Sequence, residues 1–182
     1  MTRRRLLGIA IAIAIALSAV VAAALLLRTN GTQDGIAKFQ KLDATLYRGA
    51  QPHARDFKDL EKLGVRTIIN LRKRHSDESM LKGTSLRYRN IGMNVWQAED
   101  DHVIAFLKLV KDRSKGPFFI HCQQGVDRTG FMCAIYRIVV QGWTKEKALA
   151  EMRRFKPHRI WTNLERYIRK MDVKAVRKKT GF

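Results

Sequence analysis

The sequence predicts an α/β fold in which helices flank a central sheet, with one transmembrane helix preceding it. Two observations predict this arrangement. Between residues 44 and 182, short β-branched or apolar runs alternate with segments of helical periodicity. Ahead of that region, residues 6–27 form a run without a formal charge, which as a helix is long enough to cross the ~30 Å hydrocarbon core of a bilayer.

Residues 1–28 are predicted to be a membrane anchor or an uncleaved signal. Three arginines at residues 3–5 precede the apolar run and only Arg28 follows it, so the positive-inside rule places the N-terminus in the cytoplasm. A cleaved signal peptide, with its cleavage site at residues 22–24, and a twin-arginine export signal are the alternatives. Every alternative exports the domain. The expected location is therefore the inner (cytoplasmic) membrane, as a single-pass protein with its domain on the periplasmic or extracytoplasmic side.

Residues 29–43 are predicted to be a linker, because residues 30–35 are polar and turn-prone. The domain then occupies residues 44–182. Its predicted strands are 46–48, 65–71, 86–91 and 117–120, and its predicted helices are 53–63, 101–110, 128–141, one starting at Thr144, and a basic helix over 159–179. The last strand runs directly into Cys122. A site is expected there, because open α/β sheets place their ligands at the carboxyl ends of strands.

The charge of the chain is unusual. It has 36 Lys and Arg against 16 Asp and Glu, a formal net charge of +20, and residues 29–182 alone retain +16. Such a surface attracts polyanions, which include nucleic acid, anionic lipid and phosphorylated substrates. The sequence contains no zinc-finger spacing, aromatic RNA-binding signature or basic zipper, which argues against nucleic acid as a partner.

The two cysteines, Cys122 and Cys133, form no Cys-x-x-Cys pair, and no His/Cys cluster has the spacing of a structural zinc site. The sequence therefore predicts neither a disulfide framework nor a bound metal. Cys133 is interpreted as a small buried apolar residue. Cys122 begins a loop that opens a helix, and it is interpreted as the reactive cysteine.

Residues 121–130, HCQQGVDRTG, join a predicted strand to a predicted helix. Backbone N–H groups and the positive end of the helix dipole converge at such a helix start and can cradle a phosphoryl group. Arg128 can hold two phosphate oxygens bidentately. The same positive field favours the thiolate of Cys122, which is then placed for in-line attack on phosphorus and formation of a phosphocysteine intermediate.

This loop resembles the HC-x5-R-[ST]-G signature of the protein tyrosine phosphatase superfamily. The segments LYRGAQP, LGVRTIINLR and YR-x3-QGW-x-KE-x-A are similar to those of its small bacterial dual-specificity-like members. The resemblance extends over about residues 44–155. It implies a central mixed sheet flanked by helices, and a phosphoric monoester hydrolase that needs neither a metal nor an organic cofactor.

The resemblance also implies the roles of individual residues. Cys122 would be the nucleophile, Arg128 the phosphate clamp, Thr129 the partner of the thiolate, and His121 a residue that tunes the cysteine. The implied phosphate-binding residues are the loop positions Gln123, Gln124, Gly125, Val126, Asp127 and Arg128.

The family supplies a general acid, an Asp from a loop upstream of the nucleophile, to protonate the leaving oxygen. Asp100 lies 22 residues before Cys122, a spacing close to that of the shorter members, and Asp101 is the next candidate. Glu99 and Asp127 stay open, the latter because some bacterial relatives carry Asp at that loop position. Either Asp100 or Asp101 can instead cap the following helix.

The loop indicates one class of substrate. Inositol-phosphate phosphatases of this superfamily often place lysines inside it, whereas the only loop cation here is Arg128. The loop therefore favours phosphotyrosine, with or without dual specificity, on a phosphorylated protein.

The basic surface indicates another class, a phospholipid or phosphoinositide headgroup at an anionic membrane surface. The cations available for it are Arg153, Arg154, Lys156, Arg159 and those of residues 174–179, although a solvated helical face explains them equally well. A non-catalytic phosphate-binding module is a further alternative. The intact Cys122, Arg128 and Thr129 favour catalysis.

Overall fold

The β-branched and aromatic runs form the strands of one central sheet in the computed structural model, which describes residues 35–158, 160 and 162–182. The strands are β1 (Gln40–Lys41), β2 (Leu46–Gly49), β3 (Thr67–Arg72), β4 (Arg87–Met93) and β5 (Phe118–His121). Their order is β1-β2-β5-β3-β4, with β1 antiparallel to β2 and every other pair parallel. The expected mixed sheet is thus confirmed.

The central strand β5 places its carboxyl end between two neighbours. Its last residue, His121, is in register with Gly49 of β2 on one side and with Asn70 of β3 on the other. Because the three strands are parallel, their carboxyl ends meet at one edge of the sheet. The loop that follows β5 therefore lies beside the segments that follow β2 and β3.

Helices cover both faces of the sheet. They are α1 (Asp56–Lys62), α2 (Asp100–Lys111), α3 (Asp127–Val139), α4 (Lys145–Arg154), α5 (Thr162–Lys170) and α6 (Val173–Thr180), with 3₁₀ turns at Glu78–Leu81 and Arg113–Lys115. Side chains of α1 pack with Phe119 on one face, whereas those of α2 to α6 pack with Phe118 and Ile120 on the other. This alternation follows from the two-residue period of a strand. The helix after the loop, α3, is buried along almost its whole length.

The single helix predicted over 159–179 is wrong. Met171 and Asp172 separate α5 from α6, and the Asp172 carboxylate accepts a hydrogen bond from the backbone N–H of Ala175 at 3.0 Å. Aspartate is a strong N-cap residue because its side-chain oxygen satisfies an unpaired N–H of the first turn. The other predicted helices and strands are confirmed, with small differences at their ends.

The last part of the predicted linker takes part in the fold. Ile36 and Leu42 are buried, and β1 lies between them. Asp43 accepts hydrogen bonds from the hydroxyl of Tyr136 at 2.8 Å and from Gln141 at 2.6 Å, which ties this segment to α3 and the residues after it. A two-residue strand within a polar stretch leaves no periodicity for sequence reasoning to detect.

The predicted anchor over residues 1–28 and the start of the linker lie outside the described residues. Within the part of the chain that the structure describes, none of the helices combines the length and apolar character needed to span a bilayer.

Candidate active site

The loop between β5 and α3 is held against the end of β2. Gly125 has φ +68°, and a Cβ at this position would lie 2.5 Å from the backbone nitrogen of Ala50. The buried Arg48 guanidinium donates to the Gly125 carbonyl at 2.6 Å, and the Gln51 N–H donates to the Gln123 carbonyl at 3.1 Å. Only glycine combines this left-handed backbone with such a close approach. The curvature of the loop therefore depends on Gly125 and on Arg48.

The loop and the start of α3 form a small cleft. Its volume is about 220 Å³, and its lining includes Cys122, Gln123, Gln124, Asp127, Arg128 and His158. Cys122 is 2% exposed at the base of the loop. Val126, the N-cap residue of α3, is buried, and its carbonyl accepts from the Gly130 N–H at 2.7 Å. The structure thus brings the predicted nucleophile and the predicted phosphate clamp together at a helix N-terminus, where anions are favoured.

Two polar atoms at the start of α3 have unused hydrogen-bonding capacity. Arg128 Nε and Thr129 Oγ1 are buried, and neither has a hydrogen-bond partner among the described residues. Buried polar groups are almost always paired in folded proteins. A guanidinium donates and a hydroxyl donates or accepts, so these two groups suit a bound anion and a thiolate.

His121 is paired with a residue that sequence reasoning missed. Its Nε2 lies 2.8 Å from Asp77 Oδ2, and both side chains are fully buried. Its Nδ1 lies 3.3 Å from the Cys122 carbonyl oxygen. The pair therefore ties the residue that precedes Cys122 to Asp77, the residue just before the 3₁₀ turn Glu78–Leu81.

Asp77 has further partners that keep it ionised. Gln51 Nε2 donates to Asp77 Oδ1 at 2.8 Å, and His75 Nδ1 lies 3.2 Å from the same oxygen. Burial raises the pKa of Asp77, but the hydrogen bond and charge of His121, the bond from Gln51 and the charge of His75 outweigh burial, so the pKa lies below 3.8. A separation of 44 residues from His121 left no local pattern in the sequence that links the two.

Asp127 is paired with a second histidine. Asp127 Oδ1 accepts a hydrogen bond from the backbone N–H of His158 at 2.8 Å. Asp127 Oδ2 lies 2.8 Å from His158 Nδ1. The Asp127 side chain is 12% exposed and that of His158 is 51% exposed. Sequence reasoning placed Asp127 in the loop but missed His158, which lies 31 residues further along the chain.

The structure places the two predicted acids of α2 away from the catalytic cleft. Asp100 accepts a 2.6 Å hydrogen bond from the Tyr167 hydroxyl, and its other oxygen lies 3.5 Å from Lys179 Nζ. Burial and this bond to Asp100 raise the pKa of Tyr167. Asp100 lines a separate cleft of about 500 Å³, and Asp101 is exposed. Neither caps the helix, because the N-cap of α2 is Glu99.

Cys133 lies in the hydrophobic core and is 1% exposed, as expected for a small apolar residue. Burial raises the pKa of its thiol to about 11, so it stays protonated at neutral pH. Within residues 35–158, 160 and 162–182, no group of three or more His, Cys, Asp or Glu is arranged to hold a metal ion.

Comparison with known proteins identifies the family. A family model described as the DSP-PTPase phosphatase fused to NAD+ kinase matches residues 14–170. The chain belongs to this family, within the cysteine-dependent, dual-specificity-like group of phosphatases. It is 34% identical over 140 residues to the dual specificity protein phosphatase TpbA of Pseudomonas aeruginosa (strain UCBPP-PA14). The aligned region covers 75% of this chain and 64% of that protein. The chain therefore spans slightly less than two thirds of the length of that relative.

A second relative and two solved structures extend the comparison. The inositol diphosphatase DSP5 of Arabidopsis thaliana is 30% identical over 123 residues, covering 62% of this chain and 59% of that protein. The crystal structure of P. aeruginosa TpbA gives a TM-score of 0.75 at 29% identity, over 84% of this chain and 96% of that one. TpbA with a Cys-to-Ser substitution, in complex with phosphotyrosine, gives 0.71 at 31% identity, over 79% and 90%.

Proposed function

We propose that this protein is a phosphoric monoester hydrolase that dephosphorylates phosphotyrosine substrates, with dual specificity, through a phosphocysteine intermediate. One observation carries the proposal: Cys122 and Arg128 line the same cleft at a helix start, where Arg128 Nε and Thr129 Oγ1 lack partners among the described residues. The similarity to a protein named a dual specificity phosphatase, crystallised with phosphotyrosine, supports the substrate class.

The first step of the proposed reaction transfers the phosphoryl group to the protein. The Cys122 thiolate attacks phosphorus, so that the S–P bond forms as the bond to the leaving oxygen breaks. Arg128 and the loop N–H groups hold the equatorial oxygens, whose charge they stabilise throughout. The contacts of His121 Nδ1 with the Cys122 carbonyl oxygen and of His121 Nε2 with Asp77 hold the residue that precedes the nucleophile in place.

The second step releases phosphate. Water attacks phosphorus, the P–S bond breaks, and the thiolate of Cys122 leaves with a hydrogen bond from the Thr129 hydroxyl. Because negative charge builds up on the sulfur only as the P–S bond breaks, Thr129 acts mainly in this step.

We propose further that the Asp127–His158 pair, rather than Asp100 or Asp101, holds the proton that passes to the leaving oxygen. Asp127 is the only carboxylic acid among the described residues that line the catalytic cleft. Asp100 is bound to Tyr167 and Lys179 in a different cleft, and both contacts must break before it can reach the substrate. Its place in the catalytic cleft favours Asp127, since a general acid must lie within hydrogen-bond reach of the oxygen it protonates.

A phospholipid or phosphoinositide headgroup is the second candidate substrate. The net charge of +16 on residues 29–182 and the similarity to a protein named an inositol diphosphatase favour it. The single cation of the loop, Arg128, favours the phosphotyrosine proposal instead.

The deciding experiment uses the full chain purified in detergent. We expect turnover of para-nitrophenyl phosphate and of phosphotyrosine peptides, and its loss in Cys122→Ser with phosphate binding retained. An inactive wild-type protein that still binds phosphate would establish the non-catalytic module instead. Faster turnover of phosphoinositide or phosphatidylglycerophosphate vesicles than of peptides would favour the headgroup as substrate.

We also propose that residues 1–28 anchor the protein in the inner membrane, with the phosphatase domain on the periplasmic or extracytoplasmic side. The length of the uncharged run and the arginines before it support this orientation. Membrane fractionation and protease treatment of spheroplasts test it. Protection of the domain from added protease would contradict the proposed side.

A further inference from the structure

Residues 155–158, which follow α4, are connected by two sets of contacts to the loop that joins β5 to α3, called the phosphate loop below. The Arg48 guanidinium lies 3.7 Å from the centre of the Phe155 ring and donates to the Gly125 carbonyl. Three residues later, His158 binds both carboxylate oxygens of Asp127. The stacked guanidinium and the paired hydrogen bonds therefore fix this segment relative to the loop that would hold the phosphate.

Lys156 lies between these two attachments. Its φ is +55°, in the left-handed region that costs a non-glycine residue about 1–2 kcal/mol. Such a backbone conformation persists where neighbouring contacts impose it, and it is often found at functional sites. The attachments at Phe155 and His158 lie on either side of this conformation, and Lys156 itself is exposed.

A second, larger cleft adjoins the catalytic one at this segment. Its volume is about 910 Å³, and His158 lines both clefts. Its cations are Arg153, Lys156, Arg166 and Arg169, and its apolar lining includes Met152, Pro157 and Leu164. The two clefts therefore meet at His158.

The large cleft carries excess positive charge. Glu165 is the only acid among the described residues that line it, and Arg153 Nε donates to Glu165 at 2.9 Å while Arg169 lies 3.8 Å away. The hydrogen bond from Arg153 holds the pKa of Glu165 below its usual value against the effect of burial. Glu165 therefore offsets one of the two arginines beside it, and four cations against one acid leave the cleft positive.

We propose that the large cleft is a substrate subsite that binds acidic side chains flanking the phosphotyrosine of a protein substrate. The inference rests on the phosphatase function proposed above. Cationic groups recognise carboxylates, and the apolar lining accepts the stems and backbone of an extended peptide. A small polyphosphate has no apolar surface to bury against Met152, Pro157 and Leu164, so the mixed lining favours a peptide.

Matched peptides test the subsite with the full chain in detergent. Three phosphotyrosine peptides of equal length carry Glu, Gln or Lys at the flanking positions, and para-nitrophenyl phosphate reports the chemistry alone. We expect kcat/KM to be about 10-fold higher for the Glu peptide than for the Gln peptide at low salt, and this preference to shrink as salt rises.

Charge removal locates the preference. In Lys156→Gln/Arg166→Gln we expect the Glu-to-Gln ratio to fall by about 3- to 10-fold, the range for two partly exposed ion pairs. The control Lys58→Gln/Lys108→Gln removes the same charge from exposed positions on α1 and α2 and leaves the ratio unchanged. Lys156→Gly suits the left-handed backbone and so tests the lost charge without the risk of misfolding. Lys156→Arg is expected to keep the preference.

Each outcome is decisive. Equal kcat/KM for the Glu and Gln peptides in the wild type, or an equal loss in the control variant, would overturn the subsite. A variant effect on polyphosphorylated inositol turnover without one on the peptides would also overturn it. Absence of para-nitrophenyl phosphate turnover would instead refute the proposed phosphatase function, so the two failures are distinguishable.

Discussion

Two aspartate–histidine pairs lie at opposite ends of the phosphate loop, and they differ mainly in exposure. The inner pair, Asp77 and His121, precedes Cys122 and is fully buried. The outer pair joins Asp127, which precedes Arg128, to His158, and it reaches solvent, with the histidine 51% exposed. The same two residue types, aspartate and histidine, are therefore suited to different roles in the two pairs. A fully buried couple fixes the position of the residue that precedes Cys122, whereas a partly exposed couple can contact a molecule bound in the cleft.

The largest expected effect is on catalysis and belongs to the outer pair. Asp127→Asn keeps the shape and the contact with the His158 N–H but removes the carboxylic acid. We expect kcat on an alkyl phosphate ester to fall by about 10²–10⁴-fold, and less on para-nitrophenyl phosphate, whose phenolate leaves without a proton. Steady-state kinetics over leaving groups of graded basicity measure the difference.

The control for this prediction is Asp100→Asn/Asp101→Asn, which changes the two acids at the start of α2. We expect a much smaller loss, with the same dependence on leaving group as the wild type. If this double variant loses more activity than Asp127→Asn, the acid comes from α2 and the outer pair has another role.

The next effect is on stability and belongs to the inner pair. Asp77→Ala leaves the buried His121 and the donor of Gln51 without their acceptor. Leaving a buried polar group without its partner costs about 1–3 kcal/mol, so we expect the loss of both contacts to lower the unfolding free energy by about 2–6 kcal/mol. Urea denaturation of the full chain in detergent measures it. Asp59→Ala, which breaks the exposed 3.0 Å pair with Lys62, is the control and is expected to cost less than about 1 kcal/mol.

The inner pair also predicts an acid-dependent loss of stability. The pKa of Asp77 is lower in the folded protein than its reference value of 3.8, so its ionised form stabilises the fold above that pH. This contribution is lost as pH falls below 3.8 and through the folded pKa. The stability difference between wild type and Asp77→Asn should therefore shrink below pH 3.8. A difference that stays constant between pH 6 and pH 3 would contradict the ionised pairing with His121.

The smallest effect is expected for the exposed histidine. His158→Gln removes the contact to Asp127 Oδ2 while the backbone N–H still donates to Oδ1. We expect unfolding free energy to change by less than about 1 kcal/mol and kcat to fall by about 3- to 10-fold with an altered pH profile. A matched His121→Gln variant should lose more stability. Equal stability losses in the two variants would remove the distinction between the pairs.

Much of the fold could be read from the sequence because its signals are local. The β-branched run before Asn70 and the apolar run before His121 predicted β3 and β5, and the apolar stripe from Val103 to Val110 predicted α2. The break between α5 and α6 was not predicted, because neither of the residues between them, Met171 and Asp172, is a glycine or a proline that would mark the end of a helix. Asp172 acts there as an N-cap, a role that the surrounding turn decides.

The sequence by itself determined the local form of the loop. Cys122, Gly125, Arg128 and Thr129 lie within eight consecutive residues, so the bend, the helix start that favours anions and the position of the proposed nucleophile arise from local geometry.

Tertiary structure alone decided what surrounds that loop. The partners of His121 and Asp127 lie 44 and 31 residues away, and they meet the loop only because β5 is placed between β2 and β3 and because residues 155–158 fold back onto it. It also places Asp100 in another cleft, in contact with Tyr167, whereas Asp127 lines the same cleft as Cys122, and this difference underlies our proposal of Asp127 as the acid. Spacing along the chain carries no information on such contacts, because burial and strand order set them.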